Sequence, residues 1–140
     1  MKRATILLAG LAAFAVSACA GQEKAETQPA GEEQPREVDV VMTDFRFTIS
    51  DTVFVAGVEY RFVLRNTGQE PHEWAVVPRG EVDEENLLVE VEEEDLPPGA
   101  TLVFEYTFPE AGEYDFACFM PGHYEAGMVM PIRVIGTAEG

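Results

Sequence analysis

Short runs in which apolar and polar residues alternate, set apart by turn residues, leave this chain of 140 residues few ways to fold. Tyr60, Phe62 and Leu64 alternate with Arg61 and Arg65 ahead of Asn66-Thr67-Gly68, so one face of that segment points inward and the other outward. Leu102, Phe104, Tyr106 and Phe108 repeat the pattern, Tyr114 and Phe116 continue it, and Met130, Ile132 and Val134 form a last inward set. No stretch carries the period of an amphipathic helix beyond about three turns. The spacing predicts strands at 38–43, 45–49, 52–55, 58–66, 73–78, 101–108, 113–118 and 128–135. The expected fold is all-β, a Greek-key antiparallel β-sandwich of about eight strands. The stretch from Glu81 to Asp95, with nine acids and no base, breaks the rhythm and is expected to be a loop with at most a short helix. It serves either as a solvated face or as a docking surface for a basic partner.

The N-terminus reads as an export signal. Lys2 and Arg3 precede the apolar stretch Ile6 to Val16, and Ser17-Ala18-Cys19 ends it too soon for a membrane-spanning helix. Val16-Ser17-Ala18-Cys19 resembles a bacterial lipobox, which implies that residues 1–18 are removed and that Cys19 carries diacylglycerol. The protein would then be anchored to a bacterial membrane, facing the periplasm or the exterior. A plain leader with an incidental cysteine, or a disulfide between Cys19 and Cys118, are the alternatives. Removal of the leader leaves 122 residues, enough for one domain. Residues 19–37 hold no large apolar side chain and are expected to be a flexible acidic tether, followed by the domain at 38–136 and a tail at 137–140.

The chemistry is concentrated in Cys118-Phe119-Met120-Pro121-Gly122-His123-Tyr124-Glu125-Ala126-Gly127-Met128 and in Glu70-Pro71-His72-Glu73-Trp74. Four residues separate Cys118 from His123, and four separate His123 from Met128. A strand ending at Cys118 and another starting near Met128 would fold these three donors around one point, with His72 arriving from a neighbouring strand. Pro121 and Gly122 suit a turn that presents His123 at the rim. A thiolate, two imidazoles and a weak thioether form the donor set of a trigonal copper centre with a long axial bond. A metal would also protect a free thiol in an oxidising compartment. His72 and His123 are the only histidines, so a second, catalytic metal has no ligands left, and an enzyme is not expected. Taken singly, His72 and Met128 are as readily loop or core residues. Met130 is expected in the core and Met120 on the loop surface. Zinc is the competing metal, with Glu73 or Glu125 as a further ligand.

These segments resemble those of the cupredoxins, the small blue-copper proteins. The resemblance covers about 38–135 and rests on Asn66 to Trp74, Gly112 to Cys118, Pro121-Gly122-His123 and Gly127-Met128. It implies one copper per chain, cycling between Cu(I) and Cu(II), bound by ring nitrogens of His72 and His123, the Cys118 thiolate and an axial Met128. The ligand loop has the longer, rusticyanin- or auracyanin-like spacing. In azurin and plastocyanin an asparagine follows the first histidine and ties the two ligand loops together, whereas Glu73 stands there in this chain.

The expected function is one-electron carriage by an exported, membrane-tethered protein. Extracytoplasmic copper sequestration or delivery is the alternative. Met120, Pro121 and Tyr124 are expected to form an apolar docking rim around His123. The net charge of −17, becoming −19 without Lys2 and Arg3, would steer a basic partner such as a c-type cytochrome or a membrane respiratory complex. A salty habitat would equally explain the acidity. Nucleic acid is not an expected partner, and the protein is expected to be a monomer.

Overall fold

Alternation along the chain becomes burial in two facing sheets. The structure, a computed structural model, describes residues 34–82 and 84–137; the leader, Cys19, most of the tether and most of the C-terminal tail lie outside the described residues. The strands are β1 (Arg36–Thr43), β2 (Arg46–Ile49), β3 (Val53–Val55), β4 (Glu59–Asn66), β5 (Trp74–Pro78), β6 (Val89–Val91), β7 (Thr101–Thr107), β8 (Gly112–Ala117) and β9 (Val129–Ile135). One sheet has the order β2-β1-β4-β7 and the other β3-β9-β8-β5-β6.

Tyr60, Phe62 and Leu64 are buried while Arg61 and Arg65 face solvent, as their alternation requires. The arginines pair across the surface with Glu37 and Asp39 at 3.8 and 2.7 Å. Exposed pairs of this kind contribute about 1 kcal/mol or less. Most of the stabilisation comes from the core, where Phe54, Phe62, Trp74, Phe108 and Phe116 are fully buried. Trp74 packs on Phe62 and on Phe116, each at 5.0 Å between ring centroids. A buried ring of this size contributes roughly 1.5–3 kcal/mol.

Three expectations need correction. The pairing is mixed and not wholly antiparallel, because β1 pairs with β4, and β3 with β9, in parallel. Fifteen residues separate β1 from β4, and the intervening chain visits the opposite sheet, which frees β4 to run alongside β1 in the same direction. The acidic stretch is more than a loop. Val89–Val91 forms β6 on the edge of β5, flanked by two single-turn 3-10 helices at Glu84–Asn86 and Glu93–Asp95. Trp74 to Val77 are buried, so their backbone groups need hydrogen-bond partners, and β6 supplies them on one side. Finally, the first strand starts at Arg36, two residues ahead of the strand expected at 38–43, since Arg36 and Glu37 extend the ladder along Tyr60 and Arg61.

Candidate metal centre

Topology brings the ligand segments together. In the five-stranded sheet, β8 lies between β5 and β9 and runs antiparallel to both. Ala75, Ala117 and Val129 therefore stand side by side on one rung. Just beyond that rung lie Cys118, which follows β8, Met128, which precedes β9, and His72, which enters β5. Residues far apart in sequence thus share one end of the sandwich.

Each loop is held from within. Asn66, at the end of β4, is buried, and its side-chain amide donates to the carbonyls of Glu70 and Leu96, both at 2.8 Å. Its Oδ1 accepts the Gly68 N–H at 2.9 Å, and the His72 N–H donates to the Leu96 carbonyl at 3.2 Å. In the second loop the His123 N–H donates to the Met120 carbonyl, and the Met128 N–H donates to the His123 carbonyl. Gly122 turns this chain at φ 84°, a conformation that glycine adopts without steric cost.

The side chains converge on one point. Nδ1 of His72 lies 3.3 Å from Nδ1 of His123, and Sγ of Cys118 lies 3.4 Å from the same His123 atom. One ligand atom from each of the three residues lies within 4.8 Å of the other two, and all three residues are buried. Two ring nitrogens that face each other so closely need a proton or a cation between them. A metal bonded to two nitrogens at about 2.0 Å and to a sulfur at about 2.3 Å in a plane would hold its ligand atoms roughly 3.5–3.7 Å apart. The observed separations fit that requirement. Met128 is fully buried at the end of the same loop, and its carbonyl accepts the Cys118 N–H at 3.2 Å.

Electrostatics suit a cation. Burial pushes the Cys118 thiol above its ordinary value, against the backbone amides of Glu73 and Met120, which favour the thiolate. Ionisation of this sulfur therefore calls for a bound positive charge. Burial, followed by the neighbouring His123, holds His72 below its usual range and keeps it a neutral, ligand-competent imidazole.

Glu73 bridges the two loops. Its backbone N–H donates to Cys118 Sγ at 3.4 Å, and its carboxylate accepts the Phe119 N–H at 3.0 Å. Its carboxylate groups with Glu92 and Glu93 and not with the three ligands, and Glu125 is exposed, so neither acid joins the site as the zinc alternative supposed. Burial raises Glu73 to about 7.

At the rim, His123 is 7 % exposed and His72 is not exposed at all. Pro121 is exposed, whereas Met120 and Tyr124 are half-buried, with Met120 packed on the core and Tyr124 stacked on Phe119 at 5.5 Å. Met130 likewise packs against the core. Two neighbours of the site were not foreseen. Phe45 sits at the β1–β2 turn with φ 63°, 44 % exposed, its ring edge-on to His123 at 5.1 Å. Asp44 precedes it and faces His72. An aromatic residue in a two-residue turn is a visible oddity in the sequence, but what it covers is not.

The comparisons agree with this fold. The family described as "Cupredoxin-like domain" matches residues 6–130. The copper-resistant cuproprotein CopI of Rubrivivax gelatinosus is 34% identical over 109 residues, an alignment covering 71% of this chain and 66% of that protein. CopI of Pseudomonas aeruginosa is 26% identical over 144 residues, covering 71% and 76%. This chain therefore spans slightly less than two thirds of the length of the Rubrivivax relative. Reduced auracyanin from Roseiflexus castenholzii superposes with a TM-score of 0.56 at 20% identity, over 69% of this chain and 94% of that one. The metal this family implies is copper, and the buried nitrogen, nitrogen and sulfur donors are chemically suited to it. With two sheets, a preformed three-donor cluster and a family match over most of its length, the chain belongs to the cupredoxin-like domain family.

Proposed function

We propose that this protein holds one copper ion outside the cytoplasm and carries single electrons. The observation behind this reading is the buried convergence of His72, Cys118 and His123, already within ligand distance of one another. Bound there, copper would supply a one-electron Cu(I)/Cu(II) couple. His72 and His123 would hold it through Nδ1 and Cys118 through Sγ, with Met128 as the weak fourth ligand. The protein's part is to fix these donors and keep water out. Asn66 and Glu73 brace the loops, and the Glu73 N–H on the sulfur disperses thiolate charge. Rigid donors change little between oxidation states, which favours electron carriage over catalysis on a substrate.

His123, the ligand closest to solvent, would be the contact edge, ringed by Phe45, Met120, Pro121 and Tyr124. A basic protein such as a c-type cytochrome, or a basic patch on a membrane respiratory complex, suits the net charge of −17. Lipidated Cys19 would tether the domain to the membrane. A second reading, custody or delivery of copper, is favoured by the names of the CopI relatives, which speak of copper resistance.

The test is the visible absorption and EPR spectrum of the protein loaded with Cu(II), followed by redox cycling and competition with a Cu(I) chelator. An intense thiolate-to-copper band, small hyperfine splitting and copper retained in both oxidation states would support the carrier. Ready release of Cu(I) would support delivery. A pale sample with ordinary Cu(II) parameters would overturn the carrier reading.

A further inference from the structure

The far edge of the His72 ring poses a problem that the three ligands do not solve. With Nδ1 directed at His123 and Cys118, a ligating His72 must carry its proton on Nε2. That Nε2 is buried and has no hydrogen-bond partner among the described residues. A buried donor left without an acceptor opposes the tautomer on which ligation depends.

The group that faces it is Asp44, whose Oδ1 lies 3.9 Å from His72 Nε2. Asp44 belongs to the turn between β1 and β2, on a different part of the chain from either ligand loop. The same Oδ1 accepts the Gln69 N–H at 2.7 Å and the Glu70 N–H at 3.4 Å, which pins the carboxylate against the His72 loop. Gly68 keeps the approach open. A Cβ at this position would stand 2.4 Å from Asp44 Oδ1 and 3.0 Å from His72 Nε2, so a side chain there would displace the carboxylate or the ring.

We propose that Asp44 is a positioning residue of the metal centre: its carboxylate faces the Nε2 proton of His72 and fixes the tautomer that leaves Nδ1 free for the metal. At 3.9 Å the attraction is between a charge and an N–H dipole and not a formed hydrogen bond. The ring is closed to solvent while the Asp44 side chain is 38 % exposed, so water and salt screen only the carboxylate end of the interaction. A negative group behind one imidazole also makes that ligand more basic and favours Cu(II) over Cu(I). The proposal rests on the reading of His72 as a copper ligand.

The test uses the full chain with Asp44→Ala and Asp44→Asn, the second of which keeps an acceptor for the Gln69 amide and so preserves the turn. In the metal-free protein, proton–nitrogen correlation NMR of the imidazoles reports the tautomer. His72 should carry its proton on Nε2 in the parent and shift toward Nδ1 in both variants, further in Asp44→Ala. In competition titrations, Asp44→Ala should lower Cu(II) affinity about 10-fold or more, with a smaller loss in Asp44→Asn and a higher reduction potential in both. Unchanged tautomer, affinity and potential in folded Asp44→Asn would overturn the role, whether or not Asp44→Ala folds. If the parent binds no Cu(II), the copper reading fails, and the tautomer measurement still decides the role of Asp44.

Discussion

In the metal-free protein, Glu73→Gln should flatten the dependence of stability on pH between about 4.5 and about 7. Burial is the main reason that Glu73 rises from its ordinary 4.5, with Glu90 and Glu93 adding to it and the Phe119 amide opposing it. Between those two values the folded protein holds the Glu73 proton more tightly than the unfolded chain does. Its contribution to stability is therefore fully present below about 4.5, declines as pH rises, and is lost above about 7. At about 1.4 kcal/mol per pH unit the ceiling is roughly 3 kcal/mol. Solvent that reaches this half-buried carboxyl brings the expected figure to about 1–2 kcal/mol. Glutamine keeps an oxygen for the Phe119 N–H, 3.0 Å away in the parent, so the loops stay tied while the ionisation is removed. Urea unfolding of both proteins at pH 5 and pH 8 measures the difference directly. The parent should lose about 1–2 kcal/mol more than the variant over that interval. Parallel losses would refute the reasoning and place the ionisation of Glu73 in the ordinary carboxylate range.

Asn66→Ala removes three hydrogen bonds of a buried side chain and takes the partner from the Glu70 carbonyl and the Gly68 N–H, while the Leu96 carbonyl keeps the His72 N–H, so denaturation should register a loss of about 3 kcal/mol. Phe45→Gly and Phe45→Ala both delete the ring over His123, but only glycine relieves the backbone at φ 63°. Phe45→Gly should therefore be the more stable of the two by about 1 kcal/mol, and equal midpoints in urea would deny the strain. Cys118→Ser should fold, lose the intense visible band on copper loading, and lose most of the rise in melting temperature that copper gives the parent.

The inward faces were legible because Tyr60-Arg61-Phe62 and its counterparts state their period within a few residues. The edge strand Val89–Val91 escaped because three residues among acids are too few to establish a period, and its existence depends on the need of buried β5 for partners. Parallel pairing of β1 with β4 escaped for a related reason, since no local signal records which sheet the intervening chain crosses. Glu73 looked like a departure from the asparagine that joins the loops in the resembled proteins. In the structure it joins them all the same, because a carboxylate oxygen can accept the amide of Phe119 across 46 residues of sequence.

The sequence by itself determined the candidate donor types and their spacing, since Cys118, His123 and Met128 sit on one short segment and His72 is the one other histidine. Ligand chemistry depends on side-chain identity, which is local information. Only the tertiary structure decided what surrounds those donors. Asp44 behind His72, Phe45 over His123 and Glu73 beneath Cys118 and Phe119 are placed by strand pairings and loop contacts between distant segments. Their effects on tautomer, exposure and charge follow from distances of a few ångströms, which no spacing along the chain specifies.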